Sequence, residues 1–264
     1  MTRVFADTHL HLYPDYDLPG ALATLGGNLA RGAAQTGAQA AAGFFAERLG
    51  GRLFSPLRSG ELRPAHGPWE VRAGAEPGAA LLVADGRAVA HLFDGRQIVT
   101  AERIEILALA SSVEIPDGLP AARVVDAVLA AGGVPVVGWS PGKWWFARGE
   151  VIRALLRERR PGELLFGDTA MRPAGSPEPA LMRRARRLGF SVIAGADPLP
   201  FAGEESLLGG YGSLLEGDFD EARPLASVRA LLRTPSAIGG TFGERGSWGA
   251  AVRRWRGNAR VRRA

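Results

Sequence analysis

The chain contains no cysteine. Disulfides and thiolate zinc sites are thereby excluded, and any bound metal must be held by imidazole, carboxylate or water. Histidine is scarce as well: four residues, His9, His11, His66 and His91. Lysine is scarcer still, since lysine and arginine together number 32 and only Lys143 is a lysine. No run of 18 apolar residues appears, which argues against a membrane-spanning helix. The apolar stretch 4–6 near the N-terminus is too short for a secretory signal. A cytoplasmic location is the resulting expectation.

Apolar residues make up 46% of the 264, ample for a continuous core, and the length suits one α/β barrel of about 250 residues. The formal net charge of +5 is misleading. Arg253, Arg254, Arg256, Arg260, Arg262 and Arg263 all fall in the last dozen residues, and without them the body is near −1. Such a tail either meets an anionic partner, such as nucleic acid or lipid headgroups, or is a solvated terminus. The richness in Ala, Gly and Arg points to a GC-biased coding sequence. A lysine that survives that bias invites a functional reading, because its ammonium differs from guanidinium in shape and hydration; chance also leaves single residues behind.

Short apolar strands alternate with helical patterns, the sign of a parallel sheet or barrel. Strands are expected at 4–12, 40–45, 134–137, 163–166 and 190–194. Helices are expected at 18–34, 49–57, 121–131, 150–160, 179–188 and 225–233. Residues 69–109 read instead as a β-meander, with Asp85-Gly86 and Asp94-Gly95 as hairpin turns. A Gly-rich stretch from 239 to 249 separates the body from the basic tail. The expected division is one domain over 1–238 and a tail over 239–264.

In α/β barrels, chemistry gathers where strands end. Asp7, His9 and His11 close the first strand, Glu47 and Arg48 the second, and Asp168 and Asp197 the last two. His9 and His11 lie two apart on a strand and share a face, so one ion can take both nitrogens. A polar strand end satisfied by neighbouring carboxylates has the same appearance. Two imidazoles plus carboxylates suit manganese, iron or zinc. His66, in a Pro-flanked loop, reads as exposed, and His91, inside a β-run, as an ordinary strand histidine.

Gly-Trp-Ser-Pro-Gly-Lys-Trp-Trp places Trp139, Trp144 and Trp145 around Lys143 at the same end as the histidines. The glycine spacing and Trp144 rule out a P-loop. A cation beside indole faces can hold a phosphate or a sugar ring; equally, the rings fill a barrel rim and Lys143 is solvated. Arg172, just past a strand end, and Arg148 are further anion-holding candidates, with an Asp168–Arg172 structural pair as the other reading of the first.

These pieces resemble the polymerase-and-histidinol-phosphatase (PHP) domain family of metal-dependent phosphoester hydrolases. Asp7-Thr8-His9-Leu10-His11 matches its opening D-x-H-x-H motif, and residues 95–109, 130–137 and 194–197 are similar to later motifs. The resemblance covers residues 3 to about 215 and implies a distorted (β/α)7-type, TIM-like barrel with an inserted β-meander. It also implies a metal site, and here the departures matter. Gln97 replaces a bridging glutamate, Trp139 stands near a histidine ligand's place, Glu47-Arg48 stand for an Asp-His pair, and Pro198 to Pro200 follow Asp197 where a final histidine belongs. The three-metal site of the family cannot form.

What carries over is His9, His11 and Asp197, holding one ion or two. Asp7 and Asp168 are then the candidate general base or ligand-orienting groups, and Lys143, Arg172, Arg48, Trp139 and Trp144 the candidates for a small anionic, phosphorylated substrate. The expectation is a metal-dependent hydrolase of phosphoesters. Its alternative is a degenerate barrel that binds a phosphorylated or sugar ligand without turnover.

Overall fold

A computed structural model describes residues 1–261 of the chain. β1 (Thr2–Leu10) is buried from Val4 onward and leads to α1 (Leu18–Thr36). Asp17 starts that helix by accepting the Gly20 amide, and Gly37, with φ 63°, ends it. β2 (Ala40–Phe45) then runs parallel to β1, as a helical crossover dictates.

After α2 (Phe54–Ser59), the strands β3 (Trp69–Ala73), β4 (Ala79–Ala84) and β5 (Arg87–Phe93) form an antiparallel meander. Asp85 and Gly86 turn β4 into β5 with φ of 48° and 76°, the left-handed pair that a tight two-residue hairpin requires. The second Asp-Gly does something else. β5 pairs with β2, whereas β6 (Gly95–Val99) pairs with β7 (Glu105–Leu109) in a different sheet, so Asp94-Gly95 is a crossing and not a hairpin. Only glycine fits there, because a Cβ on Gly95 would stand 2.2 Å from the Phe45 carbonyl oxygen.

The alternation expected downstream is present: α3 (Ala121–Ala130), β8 (Val134–Gly138), α4 (Ala147–Glu158), β9 (Leu165–Thr169), α5 (Ala180–Arg187) and β10 (Val192–Gly195). β11 (Tyr211–Gly217), α6 (Pro224–Arg233), β12 (Ile238–Gly243) and α7 (Trp248–Val261) follow among the described residues.

The expected TIM-like barrel is not what these elements build. Among the described residues they form two mixed sheets, one of seven strands in the order β12-β11-β1-β2-β5-β4-β3 and one of five in the order β10-β9-β8-β7-β6. β11 runs antiparallel to β1, and β7 is antiparallel to both β6 and β8. A barrel of the TIM kind needs a crossover before every strand, and the five residues linking β6 to β7 allow only a reversal. β11 and β12 occupy glycine-rich stretches read as loop and spacer. β12 pairs with β11, so the seven-stranded sheet extends into residues assigned to the tail.

The sheets meet where β10 lies beside β1. Thr8 Oγ1 donates to the Ala194 carbonyl at 2.8 Å, and the Asp197 N–H donates to the His9 carbonyl at 2.9 Å. Val4, Phe44, Phe93, Leu107, Val136 and Ile193 fill the space between them. Burying such side chains contributes about 1.5–3 kcal/mol each. Of the tail, α7 is a helix anchored by the buried Arg254, while Arg262 and Arg263 lie outside the described residues. Among the described residues no helix is long and apolar enough to cross a membrane.

Candidate metal centre

The end of β1 and the residue after β10 are brought together by the strand contact just described. His9, His11 and Asp197 are each buried, and one donor atom from each lies within 4.8 Å of the others. His9 Nε2 is 3.1 Å from His11 Nε2, and Asp197 Oδ1 is 3.5 and 3.6 Å from the two nitrogens. Donors placed tetrahedrally about 2.1 Å from one ion would stand about 3.4 Å apart. The donor set therefore fits a single divalent cation. Burial, reinforced by His9 and Arg48, pushes the His11 pKa well down and keeps its imidazole neutral, the form that ligates.

Asp7 is fully buried behind this cluster. Its carboxyl accepts the amides of His9 at 3.1 Å, Ala196 at 3.0 Å and Gly209 at 3.0 Å. Burial raises its pKa to about 8 against the opposing pull of those amides, and the nearby Asp197 charge adds to the rise. Asp7 thus ties β1 to the segment that carries Asp197. Gly195 serves the same approach, because a Cβ there would lie 2.4 Å from the His9 backbone nitrogen.

A chain of polar contacts leads away from the histidines. His9 Nε2 lies 3.1 Å from Gln97 Oε1, and Gln97 Nε2 donates to Glu105 Oε1 at 3.2 Å. Ser140 donates to the other Glu105 oxygen, and Lys143 forms an ion pair with Glu105. Burial alone would raise the Glu105 pKa. The Lys143 ammonium, through charge and hydrogen bond, and Arg48 behind it outweigh burial and hold the carboxyl below its ordinary value. Lys143 is thus fixed and partnered, and its Gly/Pro-rich turn delivers it to the site.

A cavity of about 100 Å³ opens beside the cluster, lined by Arg48, Glu105, Lys143, Asp197, Trp255 and Asn258 among others. Arg48 is half-buried and its Nε has no hydrogen-bond partner. The other candidates are placed elsewhere. Asp168 receives Arg172 through two hydrogen bonds, of 2.8 and 2.5 Å, and the Tyr211 hydroxyl at 2.9 Å. Trp144 is in the core, its indole N–H donating to the Gly138 carbonyl at 3.0 Å and its ring edge-on to Phe166. Trp139 packs against the same core, and neither indole lines the cavity. Arg148 donates to the Gly142 carbonyl. Glu47 accepts the Leu53 and Phe54 amides and Arg96. His66 is exposed, and His91 packs against Phe93 and Phe219.

Sequence reasoning passed over Glu105, although an acid inside Ile104-Glu105-Ile106-Leu107 is itself a signal: a charge in an apolar strand needs a partner. Trp255 and Asn258 were hidden by the arginines around them.

No protein-family model and no curated protein matches the chain. Among solved structures, the crystal structure of PsfC from Pseudomonas syringae PB-5123 matches with a TM-score of 0.55 and 15% identity, over 100% of this chain and 99% of that one. What the two share at that distance is the fold. Endonuclease Q, solved with a 27-mer duplex carrying an abasic lesion at the active site, matches with a TM-score of 0.46 and 11% identity, over 90% of this chain and 58% of that one. This is too distant a likeness to inform function.

Proposed function

We propose that the protein is a metal-dependent hydrolase acting on a small or terminal phosphoester. The observation that carries this reading is the convergence of His9, His11 and Asp197 on donor distances that suit one divalent ion, beside a cavity with two cationic side chains. The D-x-H-x-H resemblance to the PHP family supports the choice of phosphoesters. A bound ion supplies an acidified water and a Lewis acid for the phosphoryl oxygen.

The chain's own residues do the rest. Lys143, held by Glu105, and Arg48, which also lines the cavity, bind the anionic oxygens. The cavity of about 100 Å³ is small and open to solvent, which suits a phosphoryl group whose alcohol part extends outward. Asp7 already accepts three hydrogen bonds and Asp168 four, so their part is to position backbone and neighbours. Arg253, Arg256 and Arg260, exposed on α7, are the surface where an anionic partner would bind.

Gln97 and the Lys143–Glu105 pair favour a second reading. They leave Asp197 as the one anionic donor in the ion cluster, as in a protein that binds a phosphorylated or sugar ligand without turnover. Elemental analysis of protein purified without chelator separates the two when joined to a phosphoester panel with manganese. The hydrolase reading expects about one ion per chain, its loss in His9→Ala/His11→Ala, and turnover abolished by Asp197→Asn. Metal without turnover leaves the binding reading. Absence of metal from the purified and metal-supplemented protein alike overturns the metal centre.

A further inference from the structure

α7 approaches the metal cluster from the C-terminal end of the chain, and one of its arginines is unlike the rest. Arg254 is 8% exposed, whereas Arg253, Arg256 and Arg260 face solvent. Its Nε donates to both Glu204 oxygens, at 2.9 and 2.8 Å, and one terminal nitrogen donates to the Asp197 carbonyl at 2.8 Å. Glu204 is 5% exposed and also accepts the Leu199 amide at 3.0 Å. The guanidinium thus bridges the segment that follows β10 at two points, one of them the backbone of a candidate ligand.

That backbone needs holding. Asp197 has φ 49°, a left-handed conformation uncommon for a residue with a Cβ, and such a conformation persists where the surroundings over-determine it. The surroundings are visible on both sides of the residue. Its N–H donates to the His9 carbonyl, and its C=O accepts from Arg254. The same helix brings Trp255 and Asn258 to the cavity wall, and Gly257 lets it close on Phe201, where a Cβ would lie 2.7 Å from the ring.

We infer that Arg254 is a positioning residue for the metal site. It locks Asp197 in the backbone conformation that turns its carboxylate toward His9 and His11, and α7 is a wall of the site and not an appendage. The inference rests on the reading of His9, His11 and Asp197 as metal ligands.

The test is Zn²⁺ affinity of the full chain, measured by chelator competition well below each variant's melting temperature. Wild type is compared with Asp197→Asn, Arg254→Gln, Glu204→Gln and Arg256→Gln. Arg254→Gln is expected to weaken binding about 10–100-fold, the usual effect of losing a group that orients a ligand. Arg256→Gln, with the same loss of charge on the exposed face, leaves affinity within about threefold of wild type. Glu204→Gln keeps an acceptor for Arg254, so it lowers the melting temperature while holding affinity within the same range.

Wild-type affinity in Arg254→Gln overturns the inference, as does an equal loss in Glu204→Gln, which would mean that the effect runs through stability alone. Should Arg254→Gln not fold, Arg254→Lys carries the same test, since it keeps the charge facing Glu204 and gives up the reach to the Asp197 carbonyl. If wild type and Asp197→Asn bind Zn²⁺ equally weakly, the metal centre itself falls and the inference with it. If Asp197→Asn loses binding and Arg254→Gln does not, the inference falls alone.

Discussion

Replacing Lys143 with methionine tests whether that lysine is a solvated rim residue or the partner of a buried charge. Methionine keeps most of the stem and removes the ammonium, leaving Glu105 buried with Ser140, Gln97 and the more distant Arg48. Removing one partner of a buried pair costs about 3–5 kcal/mol. The Lys143 side chain is 19% exposed and that of Glu105 8%, so the low end, about 3 kcal/mol, applies at neutral pH. At about 2–3 °C per kcal/mol for a chain of this size, melting falls by about 6–9 °C.

The sign of the pH dependence follows from Glu105. In the native protein its carboxyl is held below the ordinary glutamate value of about 4.3. The pair's contribution is therefore full above that pH and is lost as pH falls through the folded value. In the variant, burial acts with little opposition and the carboxyl moves up, so the folded protein is progressively relieved as pH drops and Glu105 takes a proton. Urea denaturation from pH 4 to 8 should show the cost of Lys143→Met greatest near neutrality and shrinking toward pH 4. Glu105→Gln/Lys143→Met should recover most of it. A cost below about 1 kcal/mol at pH 7, or one independent of pH, would refute this account of the ion pair.

Zn²⁺ at about 100 times its dissociation constant should raise stability by about 2.7 kcal/mol, or melting by about 5–8 °C, and the rise should vanish in His9→Ala/His11→Ala; an unchanged melting curve in wild type would count against the centre. Gly195→Ala puts a methyl group against the His9 backbone, so it should cost about 3 kcal/mol or more and abolish Zn²⁺ binding, as equilibrium unfolding and chelator competition would report. Asp168→Asn strips the buried Arg172 of its countercharge and should cost about 2–4 kcal/mol while Zn²⁺ affinity stays unchanged; lost affinity at unchanged stability would move Asp168 into the site.

Much of the order of elements was legible because local signals agreed with tertiary context. Alternation from residue 121 to 195 placed helices and strands within a few residues, and β1, α1 and β2 were marked by apolar runs on either side of a small-residue helical pattern. The architecture was less legible. Asp85-Gly86 and Asp94-Gly95 look alike, yet one makes a tight turn and the other passes the chain between sheets, with Gly95 against the distant Phe45 carbonyl. β11 and β12 were masked by glycines that permit close packing, such as Gly212 against the Ala6 carbonyl. At the site, the two-residue spacing of His9 and His11 marked a shared face, and the PHP resemblance singled out Asp197, since strand-end position alone marked Asp168 equally. The contacts that engage Asp168 and Lys143 come from residues 4 to 43 positions away, and composition and periodicity do not report them.

The placement of β1 has a consequence for how the protein is made. It is made before either of its neighbours, and it lies between β2, synthesised about thirty residues later, and β11, whose residues 213–217 complete the ladder from Ala6 back to Thr2. Until residues 213–217 are made, one edge of this strand therefore has no mate, and closing so long an interval, though cheap in entropy per added residue, must wait for the template to arrive. Nascent chains stalled before that point would present an open apolar edge to chaperones and to one another.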